Sequence, residues 1–179
     1  VFLKSRYKGE KKDSCSVVVD YTIYMPKSID YMNCKMGTGK IKLFDDFKGV
    51  LNAELDKADI EINRFNGVLN ISGDEGNVKI SEGRMSGNSK VIKKVGNINI
   101  KSEFDIKGDY DISTGLGHID LLTAADFAGD FETVGELANN EFTQNERKDA
   151  IASSSNKQAY NPNSDEKKAK VRLESELGK

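Results

Sequence analysis

Gly39-Lys40-Ile41-Lys42-Leu43, Gly76-Asn77-Val78-Lys79-Ile80, Gly96-Asn97-Ile98-Asn99-Ile100 and Gly117-His118-Ile119-Asp120-Leu121 spell one five-residue phrase four times, and Ala58-Asp59-Ile60-Glu61-Ile62 repeats it with alanine at its head. The five starts lie 19, 18, 20 and 21 residues apart. A second phrase, a bulky apolar residue, any residue, then glycine, is interleaved with the first: Phe47-Lys48-Gly49, Phe65-Asn66-Gly67, Met85-Ser86-Gly87, Ile106-Lys107-Gly108 and Phe127-Ala128-Gly129. Its glycines are 18, 20, 21 and 21 residues apart. Units this short cannot bury an apolar face alone, whereas stacked copies can.

Inside each unit the apolar residues alternate with period two, the signature of strands with one buried face. Ile41 and Leu43 point one way, Lys40 and Lys42 the other, and Asp45-Asp46 turns the chain. Phe47, Leu51, Ala53 and Leu55 then share a face, as do Phe65, Leu69 and Ile71; Met85 and Val91; Ile106, Tyr110 and Ile112; and Phe127 and Phe131. The glycine of the second phrase suits a sharp corner with positive φ, or a close approach by neighbouring backbone. The pattern predicts a single all-β domain over residues 1–179, a parallel single-stranded β-solenoid of about five two-strand coils of 18–21 residues across 37–135.

The ends depart from the period. Val1–Leu3 reads as the end of a strand, 5–14 as a charged loop, and Cys15–Met25 as a strand with its odd positions apolar, stopped by Pro26, which has no N–H for a ladder. Ile29–Met36 resumes as a strand with Met32, Cys34 and Met36 on one face, so residues 1–36 form an N-terminal cap. Beyond Val134-Gly135, Glu136–Phe142 could form a helical turn and Asn145–Lys170 is polar and loop-like. Ala169–Gly178 alternates again as a closing strand, so 136–179 form a C-terminal cap over an otherwise open sheet edge.

Lysine plus arginine (27) nearly balance aspartate plus glutamate (29), and a net charge of -2 points to neither nucleic acid nor an anionic membrane surface. Two cysteines, Cys15 and Cys34, are too few for a disulfide framework; a bond between neighbouring coils and two buried free thiols are both open, the second being simpler. No apolar run approaches the roughly 20 residues of a membrane span. The chain starts at Val1, and we expect any leader or anchor to lie outside it.

Catalytic material is thin. His118, the single histidine, occupies the outward second position of its phrase, which suits an exposed surface residue better than a ligand or general base. Acids recur at turns, among them Asp45, Asp46, Asp59, Asp74, Asp105 and Asp120, but calcium-binding nonapeptides are missing and lysines alternate with the acids, which favours solvated turns. Nothing sets two carboxylates at a separation useful for glycan cleavage. Gly37-Thr38-Gly39-Lys40 lacks the spacing and following helix of a phosphate loop. Tyr7, Tyr24, Tyr31 and Tyr160 fall outside the repeats, where cap packing explains them better than a binding face. No catalytic, cofactor-binding or metal-ligating residue is assigned, and no cofactor is expected.

The valine-rich strand ending at Pro26, the run Met36-Gly37-Thr38-Gly39-Lys40-Ile41-Lys42-Leu43 and the two alternating phrases together resemble the bacterial adhesin-type domains of unknown function whose β-solenoid is called the toast rack. The resemblance covers roughly Val17–Thr133, with Val171–Gly178 as a last strand, and departs at the polar stretch 145–170. It implies an extracytoplasmic location, at the cell surface or membrane-anchored, and a link to the cell envelope or to envelope stress. It brings no catalytic residues, and the adhesin label rests on shape. The leading expectation is a non-enzymatic envelope protein presenting a repetitive β surface to an envelope protein or a cell-surface glycan. Nucleic acid is not expected as a partner, nor a membrane except through an anchor outside this chain. Alternatives are a polysaccharide-active or calcium-dependent β-helix protein, and a structural scaffold that oligomerises through its ends.

If glycine turns the corners, Gly67→Val and Gly108→Val will lower the melting temperature more than Lys107→Val does. Equal shifts in thermal unfolding would contradict the corner assignment.

Overall fold

The structure is a computed structural model that describes residues 21–123, 127, 129–134, 143–144 and 169–175. The strand at Val1–Leu3, the loop 5–14, Cys15, the helical turn 136–142, the polar loop up to residue 168, Tyr7 and Tyr160 lie outside the described residues. What is described is all β. Its strands are β1 (Tyr31–Glu75), β2 (Val78–Met85), β3 (Asn88–Val95), β4 (Ile98–Lys101), β5 (Glu103–Phe104), β6 (Asp109–Leu116), β7 (Ile119–Thr123), β8 (Asp130–Val134), β9 (Thr143–Gln144) and β10 (Lys170–Ser175).

Every strand pair is parallel. One wall runs from residues 60–67 of β1 through β2, β4 (with β5 on the end of β2) and β7 to β9. The other runs from residues 70–75 of β1 through β3, β6 and β10 to β8. Consecutive strands therefore alternate between walls, which is how a β-solenoid is wound. Alternation in the sequence becomes alternation in burial: Leu51, Ile60, Phe65, Ile71, Ile80, Val91, Ile98 and Ile112 fill the interior from both walls. Phe47 stacks on Phe65 at 6.1 Å. Met32 is buried, and Cys34 and Met36 pack beside it as the alternation predicts.

Three sequence expectations are corrected. The solenoid makes about three turns, not five. The first two phrase pairs run through one uninterrupted 45-residue strand, and the second half of the last pair does not stack on the coil before it, although β7 stacks on β4. Its strand β8 is held off β6 by β10, which lies between them in register with both, Leu173 facing Ile112 on one side and Thr133 on the other. The closing strand is thus wedged inside the wall, where Ala169, Val171 and Leu173 join the core.

Second, Ile106 is not inward but 53% exposed. Gly108 N–H donates to Asp105 O at 3.1 Å, closing a turn that puts Ile106 at its tip. Phe104, two residues earlier, pairs with Met85 and fills the column instead, edge-on to Tyr110 at 4.7 Å and against Phe127 at 5.7 Å. Third, the described part of the Cys15–Met25 strand is not a strand, and Tyr21, Ile23 and Met25 are substantially exposed because no ladder holds them. Pro26 does mark a stop: Ile29 N–H turns back to its carbonyl at 3.2 Å.

The corners carry glycine for the reason anticipated. Gly67 has φ +145°, and a Cβ there would overlap the carbonyl oxygen of Gly49 one coil away. Gly96 has φ +142° and meets the Gly76 carbonyl in the same way.

Because β10 separates β8 from β6, Leu173→Ala will lower stability by about 2–5 kcal/mol in urea unfolding. Arg172→Ala, on the outward side of the same strand, will change it by no more than about 0.5 kcal/mol. Leu173→Ala will also accelerate amide exchange in β8; unchanged exchange there would refute the wedge as its support.

Candidate binding face

Parallel, in-register stacking places outward side chains in columns, and the columns differ in what they leave uncommitted. On the first wall several charged side chains pair between coils. Lys40 and Lys42 both reach Glu61 (2.9 and 3.3 Å), and Arg64 spans three coils by holding Asp46 (3.0 Å) and Glu82 (3.1 Å). The two lysines hold the Glu61 carboxyl below its usual range, Lys40 first through its hydrogen bond. On the second wall Lys94, by a hydrogen bond of 2.7 Å and its charge, likewise lowers the Asp74 pKa. Such exposed pairs fix register more than they add stability.

The second wall carries such ion pairs as well, and beside them an amide ladder. Asn70 Nδ2 donates to Asn52 Oδ1 at 2.9 Å, and Asn52 Nδ2 donates to Tyr31 Oη at 3.0 Å, a ladder that climbs three coils. Beside it runs an open groove of about 440 Å³ lined by Asn33, Asn52, Glu54, Asn70, Ser72, Lys90 and Ile92, among others. Charge at its margins is matched, Lys35 with Glu54 at 2.6 Å and Lys90 with Asp111 at 3.2 Å. The first wall has a comparable groove of about 510 Å³ among Arg64, Glu82, Arg84, Lys101 and Glu103, where the buried Thr123 hydroxyl has no hydrogen-bond partner among the described residues.

A third ladder was missed in the sequence because its members read as solvated turn residues. Asp59 Oδ1 accepts from Asn77 N–H (2.7 Å), Asn77 Oδ1 from Asn97 N–H (2.9 Å), and Asn97 Oδ1 from His118 N–H (3.0 Å). The second position of the glycine phrase therefore caps the next coil. His118 ends this ladder with its side chain exposed. The signal was visible as Asp, Asn, Asn and His at one place in the phrase.

Among the described residues, no group of three or more His, Cys, Asp or Glu is gathered to hold a metal ion, and no helix is long and apolar enough to cross a membrane. Cys34 is a half-buried free thiol whose pKa burial pushes up.

Polar groups also gather inside the stack, where they satisfy corner backbone. Lys93, 1% exposed, donates through Nζ to Ala58 O (3.1 Å) and Glu75 O (3.2 Å). Thr114 and Ser175, next in its column, donate to Gly96 O (2.8 Å) and Gly117 O (3.1 Å). At the opposite corner Tyr110 Oη donates to Met85 O and Asp105 O, both at 3.0 Å, and the Ser89 and Ser102 hydroxyls accept from Leu69 and Met85 N–H. Burial pushes the Lys93 pKa down, with Asp59 and Asp74 opposing, and pushes Tyr110 up to about 12.

These two groups set opposite slopes. Between the depressed Lys93 pKa and 10.5, the unfolded chain binds more protons, so stability rises with pH. Above 10 the unfolded tyrosine ionises before Tyr110 does, so stability falls. In urea unfolding across alkaline pH, Lys93→Met will flatten the rising limb and leave the falling one. An unaltered rising limb would show that Lys93 is not its source.

No protein-family model, no curated protein and no solved structure matches this chain, so its faces are read from their own chemistry.

Proposed function

We propose that the protein is a non-enzymatic, adhesin-like or envelope-stress-associated component of the cell envelope, located outside the cytoplasmic membrane, that binds a protein or glycan on the outer face of its solenoid. The observation that supports this most is the second wall, where the Tyr31–Asn52–Asn70 ladder borders a groove running across successive coils. A rigid stack presents such groups at fixed spacing, so little conformational entropy is lost when an extended partner aligns with them. The location follows from the toast-rack resemblance of the repeats.

A second reading, a scaffold that associates through its ends, draws on the apolar side chains exposed at the N-terminal end of the described chain: Tyr24, Phe44, Tyr21 and Ile23. Patches of this kind favour self-association when they are contiguous.

Incubated with cell-wall fractions and solubilised envelope protein, the purified chain will be retained by one of them and will release no sugar from a glycan panel. Sedimentation velocity over a hundredfold concentration range will show a constant coefficient if the wall, and not the end, is the working surface. Measurable glycan hydrolysis, or a cytosolic native protein whose gene encodes no leader, would overturn the proposal.

A further inference from the structure

We infer that the groove on the second wall is a subsite for an uncharged, extended polysaccharide running along the stack axis, one sugar unit per coil. The inference rests on the surface-binding reading above and names its ligand class. Asn33, Asn52, Asn70 and Lys90 line the groove at intervals of 19, 18 and 20 residues, as four rungs of the wall. Parallel strands in a sheet repeat at roughly 4.8 Å. That rise is close to the advance of one pyranose along an extended glycan, so each rung meets an equivalent hydroxyl.

The chemistry of the rungs selects the ligand. Within the described residues the ladder engages one N–H of Asn70 and one of Asn52, while the Asn70 carbonyl oxygen, the Asn33 amide and the Ser72 hydroxyl make no hydrogen bond. Amides and hydroxyls offer donors and acceptors together, as sugar hydroxyls require. Glu54 and Lys90, the two charged residues of the lining, are held by Lys35 and Asp111, which leaves no unpaired charge in the described lining for a uronate or phosphate. Ile92 and the exposed ring of Tyr31 supply apolar surface for the C–H faces of the sugar. The first-wall groove is lined by more charge, Arg64, Glu82, Arg84, Lys101 and Glu103, and by fewer amides.

The test is titration calorimetry of the full chain with neutral gluco-, manno- and xylo-oligosaccharides of two to six units, with oligogalacturonates as the charged comparison. Affinity for at least one neutral series will rise up to about four units and then level off, and oligogalacturonates will bind at least about tenfold more weakly. Asn70→Ala and Ile92→Glu will each weaken binding about tenfold or more with the melting temperature held within a few degrees, while Asn99→Ala on the other wall will not. Neutral binding that survives both groove variants, or equal binding of the charged series, overturns the inference. So does the failure of every neutral series. In that last case, retention of an envelope protein that Ile92→Glu abolishes would leave the broader binding role standing, and no retention at all would remove both.

Discussion

Coil-to-coil contact of backbone at the corners is the constraint on which this solenoid depends. The carbonyl of one corner glycine sits where the Cβ of the next would be, from Gly49 to Gly67 and from Gly76 through Gly96 to Gly117. Parallel pairing extends the same registration along both walls, from Ile60 against Val78 to Ile100 against Leu121 on one and from Asn70 against Lys90 to Ile112 against Leu173 on the other. A side chain at any of these corners would force two coils apart and strip ladder hydrogen bonds from the strands on either side of it. Variation in coil length is accordingly confined to turns: Asp105–Gly108 adds a loop with Ile106 at its tip, and the strands it joins remain in register.

Tight corners create a second requirement. Where the chain turns, carbonyls and N–H groups aim into the stack, away from both water and the ladders, and must be paired. The donors next to the corner differ by what each coil leaves open. Thr114 and Ser175 serve a single glycine carbonyl with a short hydroxyl. Lys93 serves carbonyls from two different coils, a reach only a long side chain has. It lies against Gly73, where a Cβ would come within 2.8 Å of Nζ. The backbone carbonyl of Leu55 stands closer still to that position, so Gly73 answers to the neighbouring coil first and to the amine second. Unpairing the carbonyls that Lys93 serves would cost about 1–3 kcal/mol each, which explains why an ionisable group is tolerated in an otherwise apolar interior.

What could be read from the sequence was whatever is local. Alternation within a strand and glycine at a corner involve neighbours in the chain, and both carried through to the structure except at Ile106 and over Tyr21–Met25. Register relates residues about twenty positions apart, and equal phrases do not imply equal stacking: Phe65 pairs with Gly83, and Gly67 with Met85. That offset is why Phe104 replaces Ile106 under Met85. The position of β10 was illegible for the same reason, since nothing in Lys170–Ser175 distinguishes a strand that closes a stack from one that slips between β6 and β8. The candidate face was legible only as a set of outward polar residues. Which of them neutralise one another, as Lys90 and Asp111 do, depends on pairings that alternation does not encode.

Repetition alone does not make a surface functional, because ladders can be closed on themselves. The Asp59–Asn77–Asn97 ladder directs its oxygens at the next coil's N–H groups, so it is a corner device. The Lys40–Glu61 and Arg64–Glu82 columns neutralise themselves and hold register. On the second wall the pattern breaks: Ser72, Ile92 and Ser113 occupy one outward row, and the isoleucine among the hydroxyls has no duty in the stack. An apolar side chain standing beside amides with unused hydrogen-bonding capacity matches a ligand that is itself part apolar and part hydroxyl. The stack supplies the spacing, and the departures from its repeat supply whatever selectivity this face has.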